Sequence, residues 1–197
     1  MPELAALIEL LLTVTEIVKV APDCVVRTRS LLDFWGIDLA NLRLVTSIQV
    51  IFNMFEQRPA TEGLFDSCSN NNVAAIARVP LDSGALSGTW TLDTPSSWIK
   101  GSVQEQLFGG NRFEKTFKKV EALKEVVRPY FSTLAEAAIR YSLSSPSVST
   151  TIPGMNALDI VDRNVAYSDG QEFPQELISK IAEFNWPRNY YKISSPA

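Results

Sequence analysis

The sequence predicts an α/β fold in which parallel strands alternate with crossover helices. From residue 47 onward, short apolar runs rich in β-branched residues alternate with segments of helical periodicity. The runs at 47–53 and 73–79 are apolar at nearly every position, which is typical of strands covered on both faces of a sheet. With 46% hydrophobic and 20% charged residues in 197, the chain has the composition of one globular domain.

Local signals justify the elements in order. The run at 47–53 (SIQVIFN) predicts the first strand, and Pro59 then begins a helix that ends at 70–72 (NNN), where asparagine tolerates a left-handed conformation. The second strand is predicted at 73–79 (VAAIARV). The segment 80–110, dense in Gly, Ser, Asp, Thr and Pro, is too long for a passive connection and is expected to be a functional loop.

The second half of the chain predicts four more helices and a strand. Pro129 ends the first helix, a capping box of Thr133 and Glu136 begins the next, and 148–152 is a third strand. We expect Asn156 to cap the helix that follows. Helical spacing predicts two buried faces, formed by Phe113, Phe117, Val120, Leu123 and Val127, and by Leu177, Ile181 and Phe184.

The N-terminal 46 residues differ from the rest. Residues 4–21 predict a packed amphipathic helix, because Glu9, Thr13 and Glu16 recur at helical spacing and argue against a secretory signal or a membrane span. The following stretch has no clear period. We therefore divide the chain into residues 1–46, an N-terminal helix and irregular segment, and residues 47–197.

Composition excludes several classes of function. The net charge of -4 gives no field that would attract nucleic acid. With no histidine and only two cysteines, the chain offers too few ligands for a thiolate or imidazole metal site, so we predict no metal. We interpret Cys24 and Cys68 as reduced structural residues, which indicates a cytoplasmic protein. From the charge balance and the glutamates of the N-terminal helix we expect neither a nucleic-acid partner nor a membrane partner.

Two turns that directly follow predicted strands indicate a phosphate site. Residues 80–88 (PLDSGALSG) contain glycines and serines that let backbone N–H groups approach an oxyanion. Residues 152–156 (IPGMN) place the N-terminus of a helix at the end of the strand, and the positive end of that helix favours a phosphate. Each turn alone is a weak signal, since Gly-Ser loops are usually only turns.

The segments IQVIFNMFEQRPA, NNVAAIARVPLDSGALSG, GGNRFEKTFKKVEAL and STTIPGMNALDIVDRN resemble the sixth to eighth strand regions of the aldo-keto reductases, in family order. Such proteins are TIM (β/α)8 barrels that use NADPH or NADH to reduce carbonyl groups. The resemblance implies an aldo-keto reductase-like half-barrel at 47–197, that is, a partial (truncated) TIM barrel made of C-terminal strand-helix units with an extra N-terminal helix. Residues 1–46 cannot hold the missing strand-helix units, so a closed eight-stranded barrel is excluded.

The resemblance also implies a cofactor site for NADP or NAD. Gln49 would bind the nicotinamide carboxamide, and Arg78 falls where many members place an aromatic ring beneath the nicotinamide. The residues implied along the pyrophosphate and at the adenosine end are Leu81, Ser83, Gly84, Gly154, Met155, Asn156 and Asn164. The same positions also have a purely structural interpretation, in which Gln49 and Arg78 pair with neighbours and the asparagines serve as helix-end residues.

The chain departs from the family in its catalytic residues. The family's tyrosine, lysine, aspartate and histidine come from the N-terminal half of the barrel, which is not recognisable here, and the sequence has no histidine. None of its five tyrosines is predicted at a strand end, so we assign no catalytic residue. Met155, Asn156 and Ala157 replace the basic residue with which many members bind the 2′-phosphate of NADP, which leaves the choice between NADP and NAD open.

Three hypotheses follow. The leading one is a truncated or divergent aldo-keto reductase with a remnant NAD(P)H site and no autonomous reductase activity. The second is a non-catalytic interaction protein whose half-barrel is completed by a second chain that covers its exposed sheet edges. The third is a product of frame-shifted or misassigned coding sequence, in which residues 1–46 are unrelated to the rest.

Overall fold

Four strands form one parallel sheet in the computed structural model, which describes residues 25–27 and 45–188. The strands are β1 (Val25–Arg27), β2 (Ser47–Ile51), β3 (Ala74–Arg78) and β4 (Val148–Ile152), and they lie side by side in chain order. Ile51 pairs with Arg78, and Arg78 pairs with Ile152, so the carboxyl ends of β2, β3 and β4 are level. The three predicted strands are thus confirmed, each within two residues of its predicted limits.

Helices connect the strands and cover one face of the sheet. They are α1 (Arg58–Thr61), α2 (Leu64–Asn70), α3 (Val103–Phe108), α4 (Asn111–Val127), α5 (Leu134–Leu143), α6 (Leu158–Ala166) and α7 (Gln175–Ala182). The long segment between β3 and α4 also contains two short 3-10 helices, Asp82–Ser87 and Thr94–Ser97. Among the described residues, no helix is long and apolar enough to cross a membrane.

The hydrophobic core lies between the sheet and the helices. Alternate residues of β2 and β3 are buried there, namely Ile48, Val50, Ala75 and Ala77. Burial of one face of each strand and partial exposure of the other follows from the two-residue period of a strand. Each predicted buried helix face contributes to this core, for example through Leu123 of α4 and Leu177 of α7, both fully buried.

Several predicted helix starts and helix ends are confirmed. The Thr133 hydroxyl accepts a hydrogen bond from the Glu136 backbone at 3.1 Å, as a capping residue should. Helix α4 ends just before Pro129. Asn72 has a left-handed φ of 56° after α2, so the asparagine run ends that helix as predicted.

Two local predictions are wrong. The helix predicted from Pro59 is two helices, because Gly63 has a φ of 90° and interrupts it. Asn156 does not cap the next helix: Ala157 occupies the N-cap position and makes no side-chain cap bond. The strand Val25–Arg27 falls in the segment without a clear period, and it pairs in parallel with β2. The helix predicted at 4–21 lies outside the described residues, and the boundary at residue 46 stays a prediction.

Candidate cofactor-binding site

Gln49 and Arg78 lie on the half-exposed face of the sheet, opposite the helices. Along β2 and β3 they alternate with the residues that are buried in the core. Gln49 pairs in register with Ile76, whereas Arg78 is two residues farther along β3 and ends that strand. The two side chains therefore start from neighbouring strands on one face, near the carboxyl edge, as a shared ligand would require.

The loop after β3, residues 79–88, has an unusual backbone. Val79, Asp82 and Ser83 have φ values of 58°, 49° and 55°, and Gly84 has a φ of 107°. Non-glycine residues rarely adopt positive φ, and the conformation persists only when the surroundings fix it. Apolar anchors contribute to this, since Ala85 and Leu86 are fully buried just beyond the turn.

Hydrogen bonds close this loop on itself. The Leu81 carbonyl accepts from the backbone N–H of Gly84 at 2.9 Å and of Leu86 at 3.0 Å. The Ser87 hydroxyl donates to the Gly84 carbonyl at 2.7 Å. Leu81 packs against the core, while Ser83 and Gly84 are half-buried at the surface of the turn. Of the three loop residues in the expected site, Leu81 thus serves as an anchor and the other two are accessible to a ligand.

A buried ion pair joins this loop to the C-terminal part of the chain. The Arg188 guanidinium donates to the Asp82 carboxylate, and the two side chains are only 8% and 10% exposed. Burial raises the pKa of Asp82, and the charge and hydrogen bond of Arg188 oppose that rise. This pair is not evident from the sequence, because the two residues are 106 positions apart and each alone is typical of a surface.

Asn53 is a second residue that shapes this edge and that the sequence alone did not reveal. It is fully buried just after β2, and its side-chain amide donates to the Val79 carbonyl at 2.9 Å. Its side-chain oxygen accepts from the backbone N–H of Phe55 at 2.9 Å and of Glu56 at 3.0 Å. Asn53 thus fixes the loop after β2 to the start of the loop after β3. An asparagine as the last residue of a predicted strand is the signal that could have found it.

The turn after β4 is held from behind by Asn164. This residue of α6 is 5% exposed, and its amide donates to the Gly154 carbonyl at 3.1 Å. Gly154, Met155 and Asn156 are exposed. The structure therefore places Asn164 as a support of the turn, in line with the structural interpretation of that position, and leaves the three turn residues accessible.

All nine expected site residues lie on the half-exposed face of the sheet or in the segments that follow β3 and β4. Because Arg78 and Ile152 are paired, the loop after β3 and the turn after β4 leave the sheet side by side. Parallel strands bring the segments after their carboxyl ends to one edge, which is where open α/β sheets bind ligands. Backbone N–H groups and an arginine at such an edge suit an anionic ligand better than a neutral one.

The described tyrosines lie on helices or in the segments that follow them, and the Tyr141 ring stacks on Phe52 at a centroid distance of 5.3 Å. The Tyr130 hydroxyl contacts Glu176 and accepts from Lys180 at 2.8 Å, between α4 and α7. Tyr141 is buried in α5, and this burial raises its pKa. Tyr167 follows the end of α6. Across residues 45–188 there is also no group of three His, Cys, Asp or Glu side chains that could hold a metal ion.

Comparison with known proteins places the chain in a family. The model of the aldo/keto reductase family matches residues 39–185, about three quarters of the chain. The chain therefore belongs to the aldo/keto reductase family. The resemblance seen in the sequence is confirmed.

The relatives are full-length reductases or dehydrogenases of which the chain spans less than half. The L-glyceraldehyde 3-phosphate reductase of Escherichia coli O157:H7 is 23% identical over 136 residues, which are 68% of this chain and 39% of that protein. A glycerol dehydrogenase from Gluconobacter oxydans superposes with a TM-score of 0.61 at 19% identity, over 71% of this chain and 42% of that one. The holo form of an aldo-keto reductase from Bacillus halodurans gives 0.57 at 21% identity, over 80% and 47%.

These superpositions establish the fold. Four parallel strands with helices on one face match part of an aldo-keto reductase barrel. The expectation of a partial TIM barrel is thereby confirmed.

Proposed function

We propose that this chain binds a nicotinamide dinucleotide along the carboxyl edge of its sheet, as a remnant or divergent aldo-keto reductase site. The observation that carries the proposal is the side-by-side exit of the loop after β3 and the turn after β4, next to the face that carries Gln49 and Arg78. Family membership and the holo form of the Bacillus halodurans relative support a dinucleotide as the ligand.

Each part of the ligand has a suitable group in this arrangement. The amide of Gln49 can hydrogen-bond a carboxamide, and the planar guanidinium of Arg78 can stack on the nicotinamide ring. Ser83 and Gly84 offer the pyrophosphate a hydroxyl and a backbone free of a side chain. Met155 and Asn156, both exposed, would border the adenosine, and neither carries the charge that would select NADP over NAD.

The described residues offer no group equipped to complete a carbonyl reduction. A bound reduced nicotinamide supplies a hydride to a carbonyl carbon, and the oxygen then needs a proton from a donor within hydrogen-bond reach. The described tyrosines lie on helices or in turns between them, and histidine is missing from the sequence. We therefore expect cofactor binding without aldehyde turnover by the purified chain.

Calorimetric titration with NADPH and NADH tests the proposal. We expect saturable binding with a dissociation constant between about 1 μM and 1 mM. We also expect the affinity to fall roughly tenfold in Gln49→Ala and in Arg78→Ala, since loss of a hydrogen-bonding partner is worth about 1 kcal/mol or more. Lys118→Ala is the control, because Lys118 is an exposed cation in the middle of α4. The absence of binding to either cofactor at millimolar concentration would remove the proposal, and turnover of an aldehyde would remove the claim of inactivity.

A specific observation favours a second candidate function, pairing with another copy of this chain. No described strand pairs with the outer edge of β4, and a groove of about 1010 Å³ runs between that strand and residues 167–175. Large apolar side chains are exposed nearby in sequence, with Leu158 at 84% and Val165 at 63%. A parallel edge with an adjacent groove and exposed apolar residues suits the addition of strands from a second half-barrel.

Light scattering tests this pairing. A particle of twice 21.8 kDa would support it, and we then expect Leu158→Lys to give the monomer while Leu92→Lys, at an exposed position in the segment before α3, leaves the dimer intact. A stable monomer of wild-type protein would argue against pairing.

A further inference from the structure

The last described residues of the chain pack against the loop that follows β2. After α7, the Asn185 side chain accepts from the Gln57 backbone at 3.4 Å, and the Trp186 backbone donates to the Phe55 carbonyl at 2.8 Å. The Trp186 ring also makes an edge-to-face contact with Phe55, with ring centroids 6.1 Å apart. We name residues 185–188 the C-terminal strap.

Arg188 ends this strap in an aromatic pocket. Its guanidinium carbon lies 4.7 Å from the ring centre of Trp186, 5.3 Å from that of Phe55 and 5.9 Å from that of Phe108. Because a guanidinium is planar, it can stack on aromatic rings while its N–H groups, which lie in its plane, donate to an acceptor. The acceptor is the buried carboxylate of Asp82.

Asp82 is part of the strained turn after β3. Its own φ is 49°, and the next two residues, Ser83 and Gly84, have φ values of 55° and 107°. A backbone of this kind relaxes unless contacts from outside the turn fix it. The Arg188 pair is a charged contact that reaches this turn from a distant part of the chain, and the nearby Glu56 carboxylate opposes the charge of Asp82.

We propose that Asp82 and Arg188 are positioning residues, through which the C-terminal strap holds the turn at Ser83 and Gly84 in the form that binds an anionic ligand. The effect on cofactor affinity rests on the proposed function. The effect on the shape of the turn does not, because it follows from the ion pair alone. Loss of either partner leaves the other charge buried and releases the turn from the strap.

Amide hydrogen exchange of the ligand-free protein tests the effect on the turn. In Arg188→Met, which keeps an apolar side chain in the aromatic pocket, and in Asp82→Asn, we expect the amides of residues 79–88 to exchange roughly tenfold faster or more, since a charged hydrogen bond is lost. The amides of α6 serve as the internal reference and should not change. Lys118→Met, at an exposed position of α4, is the control.

The conservative variant Arg188→Lys keeps the proposal testable if the Met variant is unstable. It retains the charge, so we expect residues 79–88 to exchange at a rate between those of wild type and Asp82→Asn. Unchanged exchange in residues 79–88 in both single variants, or an equal rise in α6, would overturn the proposal. The first result would mean that the pair does not hold the turn, and the second that it acts on the whole fold.

Titration of the same variants with NADPH separates this inference from the proposed function. If wild type binds NADPH and the variants bind it roughly tenfold more weakly, both the proposed function and the positioning role are supported. If wild type does not bind but exchange at residues 79–88 still rises, the proposed function fails and the role of the strap in shaping the turn stands. If wild type binds and the variants with a released turn bind equally well, the positioning role for the cofactor is wrong.

Discussion

Replacing Gly84 by alanine should destabilise the protein through its backbone alone. Gly84 has a φ of 107°, outside the range that residues with a side chain adopt readily. A β-carbon built at this position would meet the Trp90 ring at 3.6 Å, which is ordinary van der Waals contact. Steric conflict with neighbours therefore contributes little, and the strain of the dihedral angles sets the magnitude.

We expect Gly84→Ala to lower the free energy of unfolding by about 1–3 kcal/mol, the usual range for one residue in a sparsely populated backbone region. Gly154→Ala is the matched control, because Gly154 has no positive φ and no atom within 4 Å of a β-carbon. At such a compatible site alanine should be neutral or stabilise by up to about 1 kcal/mol, since it restricts the unfolded chain.

Urea denaturation, monitored by tryptophan fluorescence, measures the free energy of unfolding of both variants. The slope of the transition should stay constant, so that a shift of the midpoint reports stability. Equal stabilities of Gly84→Ala and Gly154→Ala would refute the reasoning, because the backbone at residue 84 would then not need glycine. The strained turn on which the positioning role of Asp82 depends would be refuted with it.

Three further predictions concern other parts of the molecule. Leu123→Ala should lower the free energy of unfolding by about 2–5 kcal/mol, because Leu123 is fully buried, whereas Leu92→Ala, at a position 72% exposed, should change it by less than about 0.5 kcal/mol in the same assay. The hydrogen bond from Arg140 lowers the pKa of Asp169 from 3.8 to about 2, so the stability that this carboxylate adds is complete above pH 3.8 and is lost as the pH falls toward 2. In acid titrations followed by circular dichroism, Asp169→Asn should therefore show a shallower loss of stability over that interval. Burial raises the pKa of Cys68 to about 11, so alkylation at pH 8, followed on the Cys68 peptide by mass spectrometry, should be slow in the folded protein and fast in urea.

Clear outcomes would contradict each of these three. Equal losses in Leu123→Ala and Leu92→Ala would mean that α4 does not pack on the sheet. Identical acid profiles of wild type and Asp169→Asn would mean that Arg140 does not bind this carboxylate in solution. Alkylation of Cys68 at the same rate with and without urea would place its thiol at the surface.

The sequence predicted the parts of the site that local chemistry controls. Apolar runs marked β2, β3 and β4, and glycines marked the turns that follow the last two of these strands. The family was identified from the same segments, and the match of residues 39–185 confirms it. The Asn156 cap failed because a single capping residue is a weak signal, and the chain uses Asn164 instead to hold that turn through the Gly154 carbonyl.

The sequence by itself determined the alternation of strands and helices, since the two-residue period of a strand and the capping bond of Thr133 depend only on near neighbours. Only the tertiary structure decided that Val25–Arg27 is a strand, because so short a segment is defined by its pairing with β2. It also decided that Asp82 and Arg188 are buried together. Charged residues are buried only when a partner is supplied, and here the partner comes from 106 positions away in the chain.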